Sequence, residues 1–116
     1  MPAKKDGITR VRTLVAKLEG VDAGTSYGFP AFKVKGKTFA WFPDKKEVEP
    51  GSLGVRVSFE DRDYLIGKNP KVFYYTPHYE GYPAVLVRVD KLADKPLREL
   101  LEVGYEFVLA STRKKK

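Results

Sequence analysis

The sequence has no cysteine, one histidine, one tryptophan and one methionine in 116 residues. Without cysteine, disulfides and thiolate metal sites are excluded. A single histidine among scattered carboxylates has no metal-ligand spacing. There is no GxGxxG, no phosphate-loop GKS or GKT, and no serine evidently paired with His78 as a nucleophile. No apolar run approaches the roughly 20 residues of a membrane span. Residues Met1 to Leu14 are interrupted by charge and lack the apolar stretch of a secretory leader. These absences set the expectation: a cytoplasmic, non-enzymatic protein with no cofactor, metal or membrane attachment.

The chain has the length of one domain, residues 1–116. A chain of this size buries about 60–70% of its extended surface, enough for one core. Its hydrophobic (42%) and charged (32%) fractions are those of an ordinary globular protein. The net charge is +7, and its location matters. Lys4, Lys5 and Arg113 to Lys116 hold six of the 22 basic residues. Residues 6–112 hold the other 16 against all 15 acids, which leaves the body at +1. The basic ends are therefore expected to be flexible appendages. The high pI alone does not identify a nucleic-acid surface.

Tyr27 to Phe42 is the segment around which the rest is organised. Phe32 and Val34 alternate with Lys33 and Lys35. Phe39 and Trp41 alternate with Thr38 and Ala40. Period-two alternation about Lys35-Gly36-Lys37 predicts a hairpin with one aromatic, buried side and one basic, outward side.

Ile8, Val11, Leu14, Val15 and Leu18 share one helical face, with Asp6 as N-cap and Gly20 as stop. Arg10, Arg12 and Lys17 fall off that face and are expected in solvent. Residues 21–30 read as a loop, and 44–51 as a charged connector. A third strand follows at Val55 to Phe59. A short helix over 60–68 is expected to bury Tyr64 and Leu65. Val72–Tyr75 and Ala84–Val89 read as strands. A last helix, capped by Asp94, carries the stripe Leu97, Leu100, Leu101, Tyr105 and Val108. The order predicts a two-layer α+β fold: a single antiparallel sheet with helices on one face and the other face largely open.

Lys33, Lys35, Arg56 and Arg88 fall on the non-core side of their strands. Lys37, Lys45 and Lys46 fall at loop tips. Such cations suit phosphate contacts, although outward strand positions are commonly charged in any case. The loop Thr76 to Pro83 holds His78 between two prolines. A general acid–base role for His78 lacks a companion nucleophile, and a structural anchor, at least half buried and hydrogen-bonded to protein, is expected instead. Phe42, Tyr79 and Tyr82 are the aromatics expected to be free for stacking.

Gly24-Thr25-Ser26-Tyr27-Gly28, Pro30-Ala31-Phe32-Lys33-Val34, Gly36-Lys37 and Phe39-Ala40 resemble the MmcQ/YjbR family of predicted DNA-binding proteins. So do Thr76-Pro77-His78-Tyr79, Gly81-Tyr82-Pro83, Val85-Leu86-Val87-Arg88 and the closing helix at Leu97 to Leu101. The resemblance covers nearly the whole chain. It implies an α-β3-α-β2-α domain of the type shared with secretion chaperones. It also implies a double-wing arrangement of hairpins, with Lys33, Lys35 and Lys37 on the first, and no catalytic residue. The expected function is weak, non-specific DNA binding through phosphate contacts. A protein-interaction module or homodimer using the open sheet face, or an enzyme around His78, are the alternatives.

Overall fold

The structure, a computed structural model, describes residues 7–26, 29–43, 48, 49 and 51–113. Helix α1 (Gly7–Val15) is followed by β1 (Val21–Ser26), β2 (Phe29–Val34), β3 (Lys37–Trp41) and β4 (Ser52–Arg56). Helix α2 (Phe59–Lys68), β5 (Phe73–Tyr74), β6 (Ala84–Arg88) and α3 (Asp94–Arg113) complete the chain. The strands form one antiparallel sheet in the order β1-β2-β3-β4-β6-β5. The α+β class and the single antiparallel sheet agree with expectation. There are four strands before α2 rather than three, because residues 21–26 form a strand, not a loop. Val21 and Ala23 are the apolar side chains of this segment, too few to give a hydrophobic signal. Pairing with β2 over six residues holds the strand in place.

The helix side of the sheet carries the main core. Phe32, Val34, Phe39, Val55, Val57, Val85, Val87, Leu97 and Leu101 lie together in it, as the alternation predicts. Val11, Leu14 and Val15 of α1 and Leu65 and Ile66 of α2 join from the same side. Each fully buried side chain of this kind is worth about 1.5–3 kcal/mol. Gly104 lets α3 sit close to the sheet. A Cβ there would lie 2.7 Å from Val55 Cγ1 and 3.0 Å from the Arg56 carbonyl oxygen.

Several local expectations change. The N-cap assigned to Asp6 lies outside the described residues. Asp94 stands in the first turn of α3 rather than before it. There its carboxylate favours the positive helix end and accepts bonds of 2.9 and 2.7 Å from Arg10. Arg10 also donates to the Val89 and Leu92 carbonyls, so it ties α1 to α3 instead of facing solvent. Helix α2 is capped by Ser58, whose hydroxyl accepts from the Asp61 N–H. It exposes Tyr64 and buries Arg62, the reverse of an apolar-stripe reading. The β4 strand lies three residues earlier than expected, and Phe59 is an exposed helix residue.

The largest correction is in β3. Phe32 pairs with Ala40 but Lys33 pairs with Thr38, so Phe39 is an extra residue in the ladder. This bulge puts Phe39 and Ala40 both in the core. It turns Trp41 to the opposite face, because one inserted residue shifts the alternation by one. The expectation that Phe39 and Trp41 share a face therefore fails.

On the face away from the helices, Gly24, Ala31, Trp41, Gly54, Leu86 and Tyr74 lie in one row across all six strands. A Cβ at Gly54 would stand 2.6 Å from the indole Cε2 and Cζ2 of Trp41, so the ring rests directly on glycine backbone. Val48, Tyr79 and Leu86 form a second small core here, with Trp41 and Tyr74 against it. The outer face is thus partly covered, not largely open.

Candidate nucleic-acid interface

The β2–β3 hairpin closes through Lys35 and Gly36, both with positive φ (54° and 79°), between the paired Val34 and Lys37. Two left-handed residues in a two-residue loop make the turn whose twist matches the strands. Lys35 is therefore a turn residue rather than an outward strand residue. Lys35 and Lys37 are exposed and Lys33 is half-buried. Lys33 faces outward, opposite Asp22 on β1. Among the described residues none of these three lysines makes a side-chain hydrogen bond or ion pair. Lys45 and Lys46 lie outside the described residues.

The arginines behave differently. Arg88 grips Glu49 with two bonds of 2.8 and 2.7 Å, donates to the Pro70 and Lys71 carbonyls and lies 4.2 Å over the Tyr74 ring. The hydrogen bond from Arg88 holds the Glu49 carboxyl below its ordinary range, and Glu49 in turn raises Arg88. Tyr74 completes this corner by bonding Ser52 Oγ at 2.6 Å and accepting the Glu49 N–H. Arg56 donates to the Pro83 carbonyl and sits between the Tyr82 and Phe107 rings, 4.9 and 5.4 Å away. Arg56 pairs with Ala84 and Arg88 with Ser52, so the two arginines stand at opposite ends of the β4–β6 ladder. Four residues of strand separate those ends, about 13 Å. The candidate cations are consequently not one line. Lys33, Lys35 and Lys37 group at the hairpin tip, Arg56 lies nearer that end of the sheet, and Arg88 is locked at the other.

The loop between β5 and β6 is organised by a residue that sequence reasoning did not single out. Buried Arg62 donates from Nη1 to the Tyr79 and Glu80 carbonyls at 3.2 and 2.9 Å. Its guanidinium lies 4.0 Å over Tyr75 and 5.0 Å over Phe59. An arginine two residues before Tyr64, which the apolar pattern placed inward, offers no periodic signal, since its partners are carbonyls of a distant loop. The anchor of that loop is Tyr79, buried against Trp41 and stacked edge-on by His78. His78 itself is exposed and makes no hydrogen bond to a described residue. The expected hydrogen bond to protein does not form among the described residues. The 3-10 turn over Pro77–Tyr79 directs only one of its three side chains inward. Phe42 and Tyr79 are also not free: both are buried. Tyr82 is 40% exposed and Phe29 39%.

Two further features bear on function. An apolar groove of about 480 Å³ runs between α2 and α3, floored by Leu65, Phe73 and Leu100 and rimmed by Tyr64 and Val103. His78 is not part of it. Among the described residues, no group of three or more His, Asp or Glu could hold a metal ion, and no helix is long and apolar enough to cross a membrane.

The YjbR family model matches residues 16–107. The chain belongs to the YjbR family. Over 50 residues this YjbR domain is 48% identical to uncharacterized proteins of Mycobacterium bovis and Mycobacterium tuberculosis. That segment is 42% of this chain and spans only 39% of the length of those relatives. Its fold is similar to that of the crystal structure of Deinococcus radiodurans protein DR2400, which carries the family-model domain DUF419. The TM-score is 0.72 at 21% identity, over 87% of this chain and 77% of that one. That structural likeness shows the fold alone.

Proposed function

We propose that this YjbR domain is a non-enzymatic nucleic-acid-binding module that grips phosphates with the β2–β3 hairpin and reads little or no base sequence. The observation that carries the reading is the division of labour among the cations. Arg10, Arg62 and Arg88 are spent on carbonyls and carboxylates, while Lys33, Lys35 and Lys37 are clustered without partners among the described residues. Unpaired cations at a protruding turn serve backbone contact, because phosphates position a protein without specifying sequence. The near-neutral body implies weak binding. Three phosphate contacts give a salt slope of about 2.7 on duplex DNA.

The test is a salt titration of duplex binding by the intact chain, by a variant lacking Arg113 to Lys116, and by Lys33, Lys35 and Lys37 all changed to Ala. Deleting the tail should weaken binding alike on all sequences. The triple change should remove most of what remains. If the tail deletion alone abolishes binding, the folded domain contributes nothing, and the reading fails. A second reading, a protein-interaction module, is favoured by the apolar groove between α2 and α3 with Tyr64 and Val103 exposed at its rim.

A further inference from the structure

The bulge at Phe39 places Trp41 where a regular strand would not, and its surroundings are chemically distinctive. Phe29, Ala31 and Lys33 follow one another on the outer side of β2, and Ala31 is directly opposite Trp41. Phe29 is therefore a diagonal neighbour of Trp41 across the ladder, about 7 Å away. On the other side Tyr82 meets Trp41 edge-on, with ring centroids 6.2 Å apart. Arg56 lies over Tyr82 at 4.9 Å. Beside them a Cβ at Gly24 would touch no atom of the described residues within 4 Å, so none of them covers the sheet there. Two half-exposed rings, with an indole between them and cations alongside, form a strip that is both planar-faced and basic. Asp22 stands on this part of the face, directly opposite Lys33.

We infer that this strip binds single-stranded nucleic acid, stacking bases on Phe29 and Tyr82 while Lys33 and the hairpin lysines hold the phosphates. The inference deepens the phosphate-binding reading and rests on it. Charge complementarity alone accepts any polyanion. Exposed aromatic rings on an antiparallel sheet add a match to ligands with free planar bases. A duplex keeps its base faces stacked inside and offers these rings only backbone and groove edges. Arg56, held by the Pro83 carbonyl and the Tyr82 ring, keeps that ring in place.

Trp41 is the only tryptophan, so its fluorescence reports on the strip alone. The intact chain is titrated at low salt with three probes: an oligo(dT) single strand, the matching dT·dA duplex, and inorganic polyphosphate of equal charge. Single strand should bind best and quench Trp41, with polyphosphate binding but quenching little. Phe29→Ala and Tyr82→Leu should each weaken single-strand binding about tenfold and leave polyphosphate binding unchanged, while Tyr82→Phe retains it. Equal affinity for all three probes without quenching overturns the stacking site and leaves the lysine reading intact. No binding of any probe overturns both. Loss of polyphosphate binding in the ring variants also overturns stacking, since the fold or the lysines would then have been disturbed.

Discussion

On the face away from the helices, β4, β6 and β5 are roofed by residues 76–82, while on β1 and β2 no described residue covers Gly24, and Phe29 is exposed. The roofed half is held by arginines. Arg62 carries the loop, Arg88 closes the far corner through Glu49, and Arg56 fixes Tyr82. Lys33 lies on the bare half, and Lys35 and Lys37 stand at the hairpin tip beside it, all three unpaired among the described residues. The difference follows from the chemistry of the two cations. A planar guanidinium can satisfy several carbonyls and a ring at once, whereas an ammonium is a mobile, hydrated point charge. One half is specified by directional bonds, and the other leaves its ammonium groups unpaired among the described residues.

Removing the pin of the roofed half should have the largest effect. Arg62→Ala deletes two charge-assisted bonds and the packing against Phe59 and Tyr75. We expect a loss of about 3 kcal/mol in chemical denaturation. Loss of the roof should also raise the accessibility of Trp41 to quenchers. An unchanged midpoint would mean that the loop stands without its arginine.

Gly54→Ala comes next. Its new methyl group meets the Trp41 indole at 2.6 Å, and the ring has to move. Overpacking of this kind costs about 2 kcal/mol. Trp41 emission should shift to the red as the ring leaves the backbone. If emission and stability are both unaltered, the indole does not rest on Gly54.

Lys35→Asn sharpens the contrast from the bare half. Lys35 holds a left-handed conformation that asparagine accepts more readily. Stability should therefore rise by about 0.5 kcal/mol. Duplex binding should fall at the same time, with the salt slope reduced by about 0.9. A gain in stability with no loss of binding would remove Lys35 from the interface.

The smallest effect concerns pH. The Glu49 carboxyl is held below its ordinary value of 4.5 by its bond from Arg88. A depressed carboxylate contributes stability above the unfolded value and loses it as pH falls through the lower folded one. The Arg88 corner should therefore open only at pH below 4.5. In Glu49→Gln the slight acid dependence of thermal stability in that window should flatten. Because Glu49 is at the surface, the change should be a small fraction of the Arg62 effect.

Much of this arrangement is legible in the amino-acid order, and the remainder is hidden for identifiable reasons. Val55, Val85, Val87, Leu97 and Leu101 announce the core through periods of two and 3.6. A bulge leaves no such trace, so Trp41 reads as core when it belongs to the outer face. The β1 strand is held by backbone bonds to β2 and has almost no apolar residues to reveal it. Arg62, Arg88 and Glu49 act across long sequence separations, with carbonyl and carboxylate partners that no local pattern marks.

The extra residue at Phe39 also separates two lengths along the ribbon. Between it and the turn, strand can be added or removed in matched pairs without altering which way Trp41 faces. Adding two residues to each strand would carry the lysine tip outward by about 7 Å. The aromatic strip would stay seated over Gly54. Reach and grip are thus independent variables in this hairpin. A lineage could lengthen the finger to follow a differently shaped ligand while the palm beneath it remained unchanged.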